Sequence, residues 1–148
     1  LRLIIPMPAI VSIFVIGTIV SAIEVLAAWI YSWKEGLILA IVTPLVALVQ
    51  GFLPFPPLAI VIALASAIYI IMASYWKNRS VIGLYVCSVV GRVAMLFVGA
   101  VGVLALFGFP FNKGLAIFRT LGAPQVITAI LGLLVGQILY RRLRLSQA

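Results

Sequence analysis

The chain has no histidine, one cysteine and only two acidic residues, and each scarcity removes a class of function. Without histidine there is no bis-histidine haem and no ordinary zinc site, and Cys87 alone cannot close an intramolecular disulfide. A hydrolase working inside a membrane needs a nucleophile with its base, a pair of carboxylates or a metal cluster. Glu24 is the only acid expected at depth, Glu35 stands beside Lys34, and there is no glycine-rich phosphate loop of the P-loop kind. The chain is therefore read as non-enzymatic and without a cofactor, so that any energy from ATP must come through another polypeptide.

Charge of either sign is also sparse, at 8% of residues, whereas 66% are hydrophobic and the mean hydropathy is +1.39. Soluble domains hold about 45 to 50% apolar residues, so this composition describes an integral membrane protein. The apolar runs are roughly 17 to 27 residues long and lack the alternation of a barrel strand, so they read as membrane-spanning helices. The fold class is an all-α, polytopic helical bundle, a single transmembrane domain over residues 1–148.

The spacing predicts helices over Ala9 to Trp33, Gly36 to Leu53, Pro57 to Trp76, Val81 to Phe107 and Ala123 to Tyr140. Five spans place Lys34, Lys77, Arg79, Arg141, Arg142 and Arg144 on one side, and Arg2, Lys113 and Arg119 on the other. The richer side is the cytoplasmic one by the positive-inside rule. Trp29, Tyr31, Trp33, Tyr75, Trp76 and Tyr140 gather at that same boundary, as interfacial aromatics do. Phe52, Phe55, Phe107, Phe109 and Phe111 mark the opposite one, beside the turn Pro54 to Pro57. The net charge of +8 thus fits anionic lipid headgroups and not nucleic acid. The expected location is the inner (plasma) membrane of a bacterial cell, with the C-terminus cytoplasmic. Between Gly108 and Gly122, Phe111, Leu115, Phe118 and Leu121 recur at helical spacing around Lys113 and Arg119. This predicts an amphipathic segment along the outer surface, either a connector or a lid.

Small residues four apart at Ala59, Ala63 and Ala67 and at Gly132 and Gly136, and the face Gly17, Ser21, Glu24 and Ala28, predict close helix packing within the chain or with a partner. Pro44 should kink the second span, with Thr43 satisfying part of the freed backbone.

Glu24 and Arg92 interrupt apolar runs, where an unpartnered charge costs roughly 2.5 to 3.5 kcal/mol. Their expected depths from the cytoplasmic end are ~14 Å and ~18 Å at helical rise, close enough to pair. Three readings stand open: a structural salt bridge, recognition of a carboxylate or phosphate substrate by Arg92, or contact with another subunit. Ser88, one turn from Arg92, and Gln125 complete the candidate substrate-binding set, with Ser66, Tyr69 and Gln137 also polar at depth. These groups suffice for a small cavity but not for a proton relay.

The stretch Gly17 to Pro44, GTIVSAIEVLAAWIYSWKEGLILAIVTP, with Trp33 to Ala40 followed by Thr43 and Pro44, resembles the membrane-embedded substrate-binding (S) components of energy-coupling factor transporters. The likeness extends through Pro54 to Pro57, the helix ending Tyr75-Trp76-Lys77 and the basic end Tyr140 to Arg144. It implies a micronutrient-binding (vitamin-type) subunit that joins a transmembrane coupling protein and two ATPase subunits. Members of that family usually have six helices with both termini inside, and an alanine-rich stripe in the first. Here there are five spans and the stripe is in the third, so a further helix is expected ahead of Arg2. The alternative is a non-catalytic scaffold or anchor subunit of a larger membrane complex.

Overall fold

The computed structural model describes residues 9–145 apart from 52, 54, 55 and 109, and within the helices it leaves undescribed the side chains of residues 9–13, 111, 113, 114, 116, 117, 120, 121, 144 and 145. All the regular structure among the described residues is helical: α1 (Ala9–Ile30), α2 (Trp33–Val49), α3 (Pro57–Trp76), α4 (Val81–Leu106) and α5 (Phe111–Leu145). Among the described residues three stretches are long and apolar enough to cross a membrane, Pro57–Trp76, Val81–Leu106 and Gly122–Leu143, with a shorter apolar helix at Phe14–Ile30. The expected outer-side residues Arg2, Phe52, Pro54, Phe55 and Phe109 lie outside the described residues.

Local chemistry explains where the helices begin and end. Ser32, in an extended conformation, accepts a hydrogen bond from the Lys34 amide and donates to the Glu35 carboxylate. This is the Ser-x-x-Glu arrangement that starts a helix. So α1 stops at Ile30 instead of Trp33, and α2 begins at Trp33 instead of Gly36. At the other end α2 stops at Val49 rather than Leu53, because Gly51 turns the chain with φ +72. Pro57 opens α3 at a position where its missing N–H costs nothing. Ser80 opens α4 by accepting from the Gly83 amide.

The largest correction concerns Gly108 to Gly122. Directly after Pro110 the chain enters α5 at Phe111 and continues without a break to Leu145, with Pro124 inside. The segment is therefore the first part of the last helix and not a separate piece. At 35 residues α5 is about 52 Å long, far longer than a hydrocarbon core of ~30 Å. Phe118 packs edge-to-face on Phe97 at 5.0 Å and against the Val61, Ala65 and Leu96 cluster. The side chains of Phe111, Lys113 and Leu121 lie outside the described residues. In α2, Pro44 is buried, and the Thr43 hydroxyl donates to the Leu39 carbonyl at 2.8 Å instead of to the Ala40 carbonyl that the proline frees.

Helices α1, α5, α4 and α3 are joined in that order, the closest seams being α3 with α4 and α1 with α5, while α2 lies against α3 and α1. Among the described residues α1 and α4 make no close backbone contact, and neither do α3 and α5, so each pair stands across the bundle. The α1–α5 seam runs parallel in steps of one turn. Gly17 meets Thr128, Ser21 meets Gly132, Val25 meets Gly136, and Trp29 packs on Tyr140 at 5.6 Å. Here the expected stripe of Gly132 and Gly136 is used inside the chain. Of the alanine stripe, Ala59 is buried whereas Ala63 and Ala67 are half-buried. The antiparallel α3–α4 seam uses Gly83, Gly91 and Gly99 against Trp76, Ile68 and Val61. That second glycine series is plain in the sequence at a spacing of two turns, yet it is not among the expected packing residues.

Candidate functional site: a polar crossing in the bundle

Arg92 is 4% exposed and Glu24 1%, and the two are brought together, with Arg92 Nη1 4.0 Å from Glu24 Oε2. Their approach follows from helix direction. Side chains lean toward the N-terminus of their own helix, so Arg92 leans toward the cation-rich end while Glu24, on an oppositely running helix, leans away from it. With α1 ending at Ile30, Glu24 lies only about 9 Å from that end, and Arg92 about 16 Å from the start of α4. The opposed leanings close the difference.

Two partners of Arg92 are absent from the sequence-based expectations. Its Nη1 donates to Ser21 Oγ at 3.0 Å, and its guanidinium lies over the Tyr69 ring at 4.8 Å. Ser21 stands one turn before Glu24, so its placement beside any partner of Glu24 is readable from spacing alone. Tyr69 carries a weaker signal: it is a tyrosine in mid-helix, away from the boundary where its kind gathers. Its hydroxyl donates to the Ala129 carbonyl at 2.9 Å. Arg92 thus bridges α4 to α1, and Tyr69 bridges α3 to α5. The two bridges run between helix pairs whose backbones make no close contact among the described residues, and they meet where guanidinium and ring stack.

The other candidate residues bracket this crossing along the bundle. Tyr85 bonds Gln137 near one end and Phe97 packs on Phe118 near the other, so that Arg92 on α4 and Gln125 on α5 both lie between these two contacts. Ser88 is one turn from Arg92 toward the cation-rich end. Ser88 is fully buried. Ser88 Oγ, Gln125 Oε1, Glu24 Oε2 and Arg92 Nε are all buried with no hydrogen-bond partner among the described residues. The arrangement offers donors and acceptors in an apolar surround, with one group of each charge. No cluster of three or more metal-ligating side chains occurs among the described residues.

At the cation-rich end, Lys77 Nζ donates to the Trp29 carbonyl at 2.9 Å and sits 4.0 Å from the Tyr140 ring centre. It caps the last carbonyls of α1 and ties three helix ends together. Trp29, in the last turn of α1 beside Lys77, faces the inside of the bundle at 7% exposure, its indole N–H donating to the Ala73 carbonyl. Tyr31, Trp33 and Tyr75 are exposed. At the start of α2, the Ser32 hydroxyl holds the Glu35 carboxyl below the usual carboxylate range.

Comparison of the chain with protein-family models, with curated proteins and with solved structures gave no match.

Proposed function

We propose that this protein crosses the inner (plasma) membrane of a bacterial cell five times with its cation-rich end and C-terminus in the cytoplasm. Within that membrane it serves as the substrate-binding (S) subunit of a vitamin-type uptake transporter of the energy-coupling factor kind. The observation that carries this reading is the polar crossing. Four buried side-chain atoms at the candidate residues, those of Ser88, Gln125, Glu24 and Arg92 itself, lack a hydrogen-bond partner among the described residues. Buried polar groups are nearly always paired, and an ionisable residue at membrane depth is by default a functional one. A small molecule with both donors and acceptors meets that need. A transmembrane coupling protein and two ATPase subunits then supply the energy that this chain has no residues to capture.

One observation favours a second reading, a scaffold or anchor subunit: Arg92 and Glu24 balance each other's charge across the bundle. Native mass spectrometry of the protein extracted from its own membrane separates the two. The transport reading expects a retained small molecule together with ATPase subunits, and loss of that molecule alone in Ser88→Ala and Gln125→Leu. Large partner proteins without a small molecule, unaffected by either substitution, establish the scaffold.

A further inference from the structure

Near the cation-rich end of the α4–α5 seam, the Tyr85 hydroxyl donates to Gln137 Oε1 at 3.2 Å. With its oxygen so engaged, the Gln137 carboxamide presents its N–H₂ as a donor. Arg141 lies one turn beyond Gln137 on the same face and is exposed. The chain has only two acidic residues. Glu24 faces Arg92, and Glu35 is engaged by Ser32 at the start of α2. Arg141 therefore has no carboxylate partner among the described residues, and its complement must come from outside the chain.

The surface deeper along the same two helices is apolar. Leu134 and Ile138 share the Gln137–Arg141 face of α5, and Val86 follows Tyr85 on α4; all three are exposed. A cation and an amide donor at the helix ends, above an exposed aliphatic wall, match a molecule with an anionic head and hydrocarbon tails. We propose that the α4–α5 seam holds an anionic phospholipid, its phosphate on Arg141 and the Gln137 amide and its acyl chains along Val86, Leu134 and Ile138. Basic notches between helices at the cytoplasmic headgroup layer are suited to such lipids. The proposal rests on the bundle lying in a bilayer and is independent of the transporter reading.

The test is native mass spectrometry of the delipidated protein titrated with phosphatidylglycerol or phosphatidylcholine, with sn-glycerol 3-phosphate as a soluble competitor. The expected result is preferential retention of phosphatidylglycerol that equal concentrations of glycerol phosphate do not displace. Arg141→Gln should weaken that retention roughly five-fold, the size set by one cation at a charged surface. Gln137→Leu, which leaves charge unaltered, should weaken it about two-fold, one hydrogen bond's worth in a wet site. Arg79→Gln, removing a cation that stacks on Tyr75 elsewhere at the same end, should leave it unchanged. Equal retention of both lipids overturns the site, as do equal losses in the Arg141 and Arg79 variants, an unaffected Gln137→Leu protein, or displacement by glycerol phosphate. Retention of phosphatidylcholine throughout would show that the membrane reading survives even then.

Discussion

The α1–α5 seam and the crossing at Arg92 join helices by opposite means. Along the seam, small residues recur every turn and the backbones come close, so the contact is dispersion between many atoms. At the crossing, helices too far apart for backbone contact are joined by long polar side chains reaching across the bundle. A seam spreads its stabilisation over many weak contacts, whereas the crossing concentrates it in a few polar groups. The difference predicts which substitutions are graded and which are abrupt.

The largest effect belongs to the crossing. Arg92→Met leaves Glu24 buried without its counter-ion, and breaking one side of a buried pair costs about 3 to 5 kcal/mol. Adding Glu24→Gln should restore much of that loss, since removing both charges is far milder than removing one. Unfolding in mixed micelles, followed by loss of helicity, measures both. A double variant no more stable than Arg92→Met would mean that the pair is not what holds α1 to α4.

The seam comes next. A Cβ at position 132 would stand 2.5 Å from Ser21 Cβ and 3.2 Å from the Ala22 amide nitrogen, so backbone would have to yield. Gly132→Ala should cost about 1 to 3 kcal/mol, as overpacking does. At Gly136 the nearest atom is a Val25 methyl at 3.3 Å. Alanine's better helix propensity, about 0.8 to 1.0 kcal/mol, offsets that crowding, so Gly136→Ala should be near neutral. Equal costs at the two positions would contradict the register. Milder than Gly132→Ala is Lys77→Met, which removes the cation from the Tyr140 ring and from the Trp29 carbonyl. The expected loss is about 1 kcal/mol, measured by the same unfolding assay and accompanied by raised hydrogen exchange at the end of α1.

These two regions are not equally legible in the sequence. Helix α3 matches its expected bounds, since Pro57 and the pair Trp76-Lys77 mark its ends by local chemistry. The start of α2 is displaced because Lys34 and Glu35 look like loop charges, although Ser32 and Glu35 together form a cap. The unbroken length of α5 is hidden by Pro124 and Arg119, both of which suggest a boundary that tertiary contacts through Phe118 override. Small-residue seams can be picked out from spacing, but the partner of each stripe depends on helix adjacency, which spacing does not contain. The meeting of Glu24 and Arg92 is one of three readings open in the sequence, and charge alone suggests it. Tyr69 stands out there only as a polar group at depth, because a bridge between diagonal helices requires knowing which helices are diagonal.

The smallest expected loss sharpens the comparison most. Tyr69→Phe keeps the ring under Arg92 and deletes only the hydroxyl bonded to Ala129. That carbonyl sits inside α5, where the helix's own N–H groups also serve it. The loss should therefore be close to the average for a hydrogen bond between membrane helices, about 0.6 kcal/mol. Its diagnostic value lies in coupling. If Tyr69 and Arg92 act as one crossing, the costs of Tyr69→Phe and Arg92→Met should not add, because the guanidinium that orients the ring is absent in the second background. Simple additivity would show instead two independent bridges that happen to pass each other. The α1–α5 seam provides the contrast: Gly136→Ala, whose nearest neighbour is Val25 and which stands two turns from Ala129, should combine with Tyr69→Phe additively.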